Sequence, residues 1–251
     1  MKKHKIMQVL SKKIYKEKFV ELFLENDLTP FPRPGQFLHI LTGGAFIRRP
    51  LSIAGCTENS VRILFEIKGK GTKKLSEISK GQYLDIVGPV GNNFPLPDRK
   101  KEISLVAGGM GLAPLLFLAS QLISEKMNFK FFYGARDKGH LLDFLLPKGD
   151  YKKFISTDDG SDGEKLTVVE MFERKLNNEK TDIVFAAGPY QMLKALSEIC
   201  RNNNIEAYVS LENIMFCGLG VCQGCVTETI NGYKRVCRDG PVFDHREIKW
   251  T

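Results

Sequence analysis

Apolar and polar positions along this chain follow one period before residue 98 and another after it. Up to Pro97 the apolar and β-branched runs are short: Val20–Leu24, Phe37–Leu41, Val61–Ile67 and Tyr83–Val87, separated by Pro, Gly and Asn. Short strands at that spacing predict a small antiparallel barrel. Beyond Asp98–Lys101, strand-like runs (Ile103–Val106, Phe129–Tyr133, Tyr151–Ser156, Ile183–Ala187, Glu206–Val209) alternate with helical ones (Pro114–Lys126, Thr167–Leu176, Tyr190–Arg201). In the first of these helices Leu115, Leu118, Ala119 and Leu122 recur at i, i+3, i+4 and i+7. Strand–helix alternation predicts a parallel, doubly wound sheet. After residue 210 both periods give way to a Cys- and Gly-rich stretch. The expected fold class is therefore β-barrel plus α/β with a small C-terminal unit, divided at 1–98, 99–210 and 211–251.

That last stretch carries the sharpest chemistry. Cys217, Cys222 and Cys225 stand as C-x4-C-x2-C, and Cys237 follows after eleven intervening residues. This is the ligand spacing of a plant-type [2Fe–2S] cluster, in which one loop wraps an inorganic core and one distant thiolate completes it. Gly218, Gly220 and Gly224 are expected to take positive φ and bring backbone N–H groups to the sulfurs. A structural zinc site is the alternative, although zinc usually takes two tight pairs and only one is present. Four cysteines given to a cluster imply a reducing compartment. Of the other two, Cys200 shares an apolar helix face with Met192, Leu196 and Ile199 and is expected to be inert.

Two barrel stretches look chemical. Arg48-Arg49-Pro50-Leu51-Ser52 sets a guanidinium fork beside a hydroxyl, suited to a pyrophosphate or a flavin edge. Gly69-Lys70-Gly71-Thr72 leads into a short helix over Lys73–Ile78 that Thr72 can cap. Alone, the first is most often an exposed turn and the second most often a flexible loop; together, upstream of a dinucleotide-like sheet, they reinforce each other. Within that sheet, Gly108-Gly109-Met110-Gly111-Leu112-Ala113-Pro114 turns from a strand onto a helix start, a geometry that receives a pyrophosphate. It is not G-x-G-x-x-G. Gly134-Ala135-Arg136, Thr157–Gly160 and Gly188-Pro189 close the neighbouring strands at the ends where such sheets bind ligands.

Composition narrows the field. The 251 residues carry 37 basic and 29 acidic side chains, a net charge of +8. Seven lysines fall in the first eighteen residues within a strand-like pattern, which favours a solvated edge strand over a nucleic-acid surface. The longest apolar run, around Leu112–Ala119, is too short to span a bilayer, and the N-terminus lacks a secretory apolar region. A cytoplasmic protein is expected. The four histidines (His4, His39, His140, His245) are scattered, no Ser/His/Asp or Cys/His arrangement stands out, and no general acid or base is expected.

With these residues in hand, the chain resembles the ferredoxin-NADP reductase-like flavoproteins and, within them, the iron–sulfur electron-transfer subunits of type B dihydroorotate dehydrogenase. The resemblance rests on Pro34–Phe37, Arg49–Ser52, Gly69–Thr72, Gly88–Asn92, Gly108–Pro114, Cys217–Cys225 and Val236–Phe243. It implies FAD bound by Arg49, Pro50, Leu51, Ser52, Leu64, Phe65, Glu66, Gly71 and Thr72. It implies NAD at Gly108, Gly109, Gly111, Pro114, Arg136, Gly188 and Pro189. It implies a [2Fe–2S] cluster on Cys217, Cys222, Cys225 and Cys237. It further implies an oxidoreductase subunit of pyrimidine (UMP) biosynthesis, working with an FMN-containing catalytic subunit as a heterotetramer of two of each. Two positions depart from the broader family: Leu51 where an aromatic is usual, and Ala187 where a Cys often precedes Gly-Pro. The rival readings are a small flavin and iron–sulfur subunit of another NAD(P)H-dependent oxidoreductase, and a zinc-stabilised binding module with no redox role.

Overall fold

The structure, a computed structural model, describes residues 4–43 and 47–250. Its first six strands are β1 (His4–Tyr15), β2 (Phe19–Glu25), β3 (Phe37–Ile40), β4 (Arg49–Cys56), β5 (Ser60–Glu66) and β6 (Tyr83–Val90). They close into an antiparallel barrel in the order β1-β2-β5-β4-β3-β6. Period-two alternation explains the closure. Met7 and Val9, Val20, Leu22 and Leu24, Leu38 and Ile40, Val61, Ile63 and Phe65, and Leu84 and Ile86 all point into one core. Each such side chain contributes about 1.5–3 kcal/mol on burial.

The lysine-rich N-terminal stretch differs from the expected edge strand. β1 pairs on both sides, with β2 and β6, and so closes the barrel. Of its lysines Lys13 is exposed while Lys5 and Lys12 are half-buried, and its two halves are paired separately, His4–Gln8 with β6 and Val9–Tyr15 with β2; Lys2 and Lys3 lie outside the described residues. The short helix α1 (Lys70–Ser76) begins three residues earlier than expected. Gly69 is its N-cap, and Thr72, at the third helical position, accepts from the N–H groups of Lys68 (2.9 Å) and Gly69 (3.2 Å). Thr72 thus closes the turn from inside the helix rather than capping it from outside.

The second half introduces β7 (Ile103–Gly108), α2 (Leu112–Ser124), β8 (Phe129–Ala135), β9 (Lys152–Thr157), β10 (Glu164–Lys165), α3 (Val168–Leu176), β11 (Ile183–Ala187), α4 (Tyr190–Asn202) and β12 (Glu206–Ser210). Then come a hairpin, β13 (Val226–Thr229) and β14 (Gly232–Arg235), and finally β15 (Val242–Asp244). The sheet order is β10-β9-β8-β7-β11-β12-β15, parallel except for the antiparallel β15. Every residue of β7, β8 and β11 is buried, as expected of strands covered on both faces. Thr167 caps α3 reciprocally with Glu170, a device worth about 1 kcal/mol. Through β15 the polypeptide beyond the cysteine loop returns to join the sheet. Among the described residues no helix is long and apolar enough to cross a membrane.

Candidate functional site

The strand order reverses between β7 and β11, so the turns that follow these two strands open a crevice at their carboxyl ends. The glycine turn and the Gly188-Pro189 turn meet there. A Cβ at Gly111 would lie 2.0 Å from the Ala187 carbonyl oxygen, so only glycine lets the two turns approach this closely.

Facing that crevice is the outer surface of the barrel, and between them is a cavity of about 240 Å³. Seven of the nine residues expected at a flavin line it: Pro50, Leu51, Ser52, Leu64, Phe65, Glu66 and Thr72. The other two sit against each other beside it, a Cβ on Gly71 falling 2.7 Å from Arg49 Nε. The adjacent arginines have separate tasks. Arg48 donates to the Asp85 carbonyl and carboxylate, both at 2.8 Å, binding β4 to β6. Arg49 donates to the Ile47 carbonyl (2.6 Å) and lies along α1. From the opposite wall come Met110, Ala113 and Pro114 of the glycine turn and Ala187 of β11. Pro114, expected at NAD, therefore faces this first cavity.

A second cavity of about 670 Å³ runs over the sheet ends and contains Gly108, Gly109, Arg136 and Pro189. Gly111 and Gly188 line neither cavity; they are packed beneath the turns, where a Cβ on Gly188 would fall 2.5 Å from Met192 Sδ. Glu66 and Lys68 border both cavities, which are thus two rooms with a common wall. Arg136 is tied to His140, its NH2 lying 2.8 Å from Nε2, while His140 Nδ1 lies 2.7 Å from Asp137. That bond with His140 holds the Asp137 carboxyl down to about 2. His140 also lines the second cavity, beside Asp158, whose pKa burial and the nearby Glu170 and Asp159 carboxylates push up.

Several wall residues carried no signal in the sequence. Ser210 at the end of β12, and Leu211, Glu212, Asn213 and Met215 of the segment joining it to the cysteine loop, line the first cavity. Desolvation pushes Glu212 above the ordinary carboxylate range, with Lys68 pulling the other way. The segment has neither strand nor helix period, and only its position between two recognisable parts marks it.

Three of the four expected ligands sit on the loop that this segment enters, and Cys237, beyond β14, is brought to it. Cys225 and Cys237 are buried, Cys217 is partly exposed and Cys222 is exposed. Backbone N–H groups approach three of the sulfurs: Leu219 (3.4 Å) and Cys222 (3.5 Å) to Cys217, Gly220 to Cys237 (3.1 Å), and Cys237 to Cys225 (3.4 Å). Burial opposes the Cys217 thiolate, but the amides of Cys222 and Leu219 outweigh it and bring the pKa down to about 6. Burial, followed by the neighbouring Cys225, pushes Cys237 up to about 12. Thiols with converging amide donors fit a sulfur-ligated cluster. Among the described residues no group of three His, Cys, Asp or Glu is placed to hold a single metal ion. Gly218 and Gly220 take the expected positive φ, whereas Gln223 does so in place of Gly224. Gly224 is instead small because Phe216 lies over it, 2.8 Å from a Cβ there.

Two clamps hold this loop. Arg235 forks onto the Asp239 carboxylate (Nε 2.9 Å, NH2 3.1 Å) and reaches the Gly220 carbonyl (3.0 Å). Asn92, leaving the barrel, donates to the carbonyls of Asp239 (3.1 Å) and Val242 (2.7 Å) and accepts from the Val242 N–H (2.9 Å).

Comparison with known proteins yields concordant matches. Residues 212–249 match the family model for the iron–sulfur cluster binding domain of dihydroorotate dehydrogenase B. A protein of Caldanaerobacter subterraneus subsp. tengcongensis, named dihydroorotate dehydrogenase B (NAD(+)), electron transfer subunit, is 39% identical over 86% of this chain and 87% of its own. A protein of the same name from Geobacillus sp. (strain WCH70) is 35% identical over 99% of both chains. Among solved structures, an NADH-dependent reduced ferredoxin-NADP oxidoreductase, described for flavin-based electron bifurcation, superposes with a TM-score of 0.84 at 28% identity, over 97% of this chain and 90% of that one. Phthalate dioxygenase reductase shares the fold with a TM-score of 0.70 at 20% identity, over 90% and 87%.

Proposed function

The chain belongs to the family of dihydroorotate dehydrogenase B (NAD(+)) electron transfer subunits, and from that premise we propose how its cavities and loop divide the work. It is an oxidoreductase subunit that relays electrons between a catalytic partner and NAD+. The first cavity takes the isoalloxazine of FAD, with Arg49, Gly71 and Thr72 at its phosphate side and Pro50, Leu51, Ser52, Leu64, Phe65 and Glu66 along the ring. The second takes NAD, with Gly108, Gly109, Arg136 and Pro189 on its wall, Gly111 and Gly188 shaping the turns beneath, and Pro114 at the first cavity where NAD meets the flavin. Cys217, Cys222, Cys225 and Cys237 hold a [2Fe–2S] cluster. The three units 1–98, 99–210 and 211–251 carry these sites in that order.

A flavin placed between nicotinamide and an iron–sulfur cluster exchanges hydride on one side and single electrons on the other. The chain's own task is to orient and exclude water. Ala187, without the usual thiol, lines the first cavity together with the polar side chains of Ser52, Glu212 and Asn213. Leu51 gives an aliphatic face where an aromatic ring would stack.

One observation carries the reading: the two cavities share Glu66 and Lys68, and the first is walled by Leu211, Glu212, Asn213 and Met215, the last of them two residues before Cys217. All three sites are thereby in series. The partner in this reading is an FMN-bearing catalytic subunit that oxidises dihydroorotate, two copies of each chain assembling in the cytoplasm. The isolated chain is expected to show flavin bands with a broad iron–sulfur shoulder and to oxidise NADH with an artificial acceptor. It should not reduce NAD+ with dihydroorotate until the partner is added. A colourless, zinc-containing protein, or dihydroorotate-dependent NAD+ reduction by this chain alone, overturns the assignment. The similarity to the ferredoxin-NADP oxidoreductase keeps one alternative partner in view, and identifying the chain that co-purifies from the native source decides between them.

A further inference from the structure

His39 belongs to neither cavity, yet its surroundings are unusual for a spare residue. It stands on β3 opposite Pro50 of the flavin motif and two positions from Phe37, which lines the first cavity. Its ring is completely buried, and neither Nδ1 nor Nε2 has a hydrogen-bond partner among the described residues. A buried imidazole always carries at least one N–H, and leaving it unmatched is unfavourable. The ring lies against the cysteine loop, where a Cβ on Gly218 would be 2.4 Å from Nδ1. Gly218 therefore has two reasons to be glycine, its positive φ of 65° and this ring. Burial favours the neutral imidazole. The backbone of Met215, Cys217 and Arg48 lies beside the ring.

We propose that His39 is a positioning residue for the iron–sulfur site, tying the barrel strand beside the flavin motif to the backbone that presents Cys217. Once the loop closes on its cluster, the buried N–H of His39 engages a carbonyl of the Met215–Cys217 segment. This fixes where the first ligand stands relative to the flavin cavity. The arrangement rests on the proposed cluster assignment and adds to it a link from the barrel.

The test uses the full chain, matured anaerobically, as wild type and as His39→Leu, His39→Asn and His39→Gln. Flavin content, iron content, the electron paramagnetic resonance spectrum and the rate of iron release to a chelator are measured. His39→Leu is expected to keep its flavin, release iron about tenfold faster and shift the spectrum. A leucine there risks unseating the barrel, so His39→Asn serves as the second variant: its amide is too short to reach the loop and is expected to behave like leucine with flavin retained. His39→Gln, which restores a donor at greater reach, is expected to recover most of the wild-type behaviour. Wild-type iron release and spectrum in both the Leu and Asn variants overturn the inference, as does a Gln variant no better than Asn. Wild-type protein without iron sinks the cluster assignment itself, which separates the two failures.

Discussion

The crevice between barrel and sheet and the cysteine loop serve one electron path but are built in opposite ways. The crevice is made of regular elements: consecutive residues of β4 and β5, with Phe37 of β3, line it, while other residues of the same strands fill the barrel core. The loop has no ladder of its own. It is shaped by backbone N–H groups turned toward sulfur and held from outside by Arg235, Asp239, Asn92 and the buried face of His39. A site on strands inherits its precision from the sheet hydrogen bonds. A site on a loop must import it, so changes at distant tethers should act on the loop far more than on the crevice.

The sharpest way to break that comparison is at the ligands. Cys225→Ser removes a buried sulfur from the loop and changes no residue of the barrel or of a sheet strand. It is expected to abolish cluster iron and the visible shoulder while leaving FAD at wild-type stoichiometry, as checked by iron assay and absorption. Joint loss of flavin and iron would show that the two sites do not fold separately. Next in size is Gly111→Ala. Its new methyl would meet the Ala187 carbonyl, backbone against backbone, and neither strand end can yield easily. We expect a loss of about 3 kcal/mol in urea unfolding, with NADH affinity falling and iron content unchanged.

These two positions also show what the sequence could and could not disclose. The cysteines were legible because ligand chemistry dictates spacing, and the barrel and sheet because burial dictates period. The glycine turn was legible as a turn, but not that Gly111 supports Ala187 from beneath rather than lining a ligand wall. Asn92 lay inside a recognised motif without a role, because its partners are about 150 residues away along the chain, at Asp239 and Val242. His39 and His140 passed as ordinary because a lone histidine has no local signature; only the fold brings one to the loop and the other to the second cavity. The lysines of β1 suggest an edge because such residues look alike in sequence whether a strand ends a sheet or, as here, joins two neighbours.

Asn92 sharpens the contrast at intermediate strength. Asn92→Ala deletes three partly buried side-chain hydrogen bonds between barrel and loop. At about 1 kcal/mol each, with some relief by water, the expected loss is about 2 kcal/mol. Iron release should accelerate severalfold while NADH affinity stays within error. Equal effects on both would mean that the loop is not the more dependent site.

The smallest effect concerns a tether within the barrel. The Asp85 carboxylate binds Arg48 at 2.8 Å and His4 at 2.7 Å; burial opposes its charge, but these hydrogen bonds outweigh it and hold its pKa below the ordinary value. A carboxylate whose folded pKa is depressed stabilises the fold above its unfolded value of about 3.9 and loses that contribution as pH falls through the folded one. With its side chain 32% exposed, solvent screening limits the contribution to about 1 kcal/mol. Asp85→Asn should therefore be less stable than wild type by about that amount at pH 7 and indistinguishable from it once both are acidified below the depressed pKa, as read from urea midpoints across pH. Because β6 already pairs with β1 and β3 through its backbone, flavin content should not change. A strand site tolerates the loss of one side-chain tether, whereas the cysteine loop, with the Asn92 tether removed, should not.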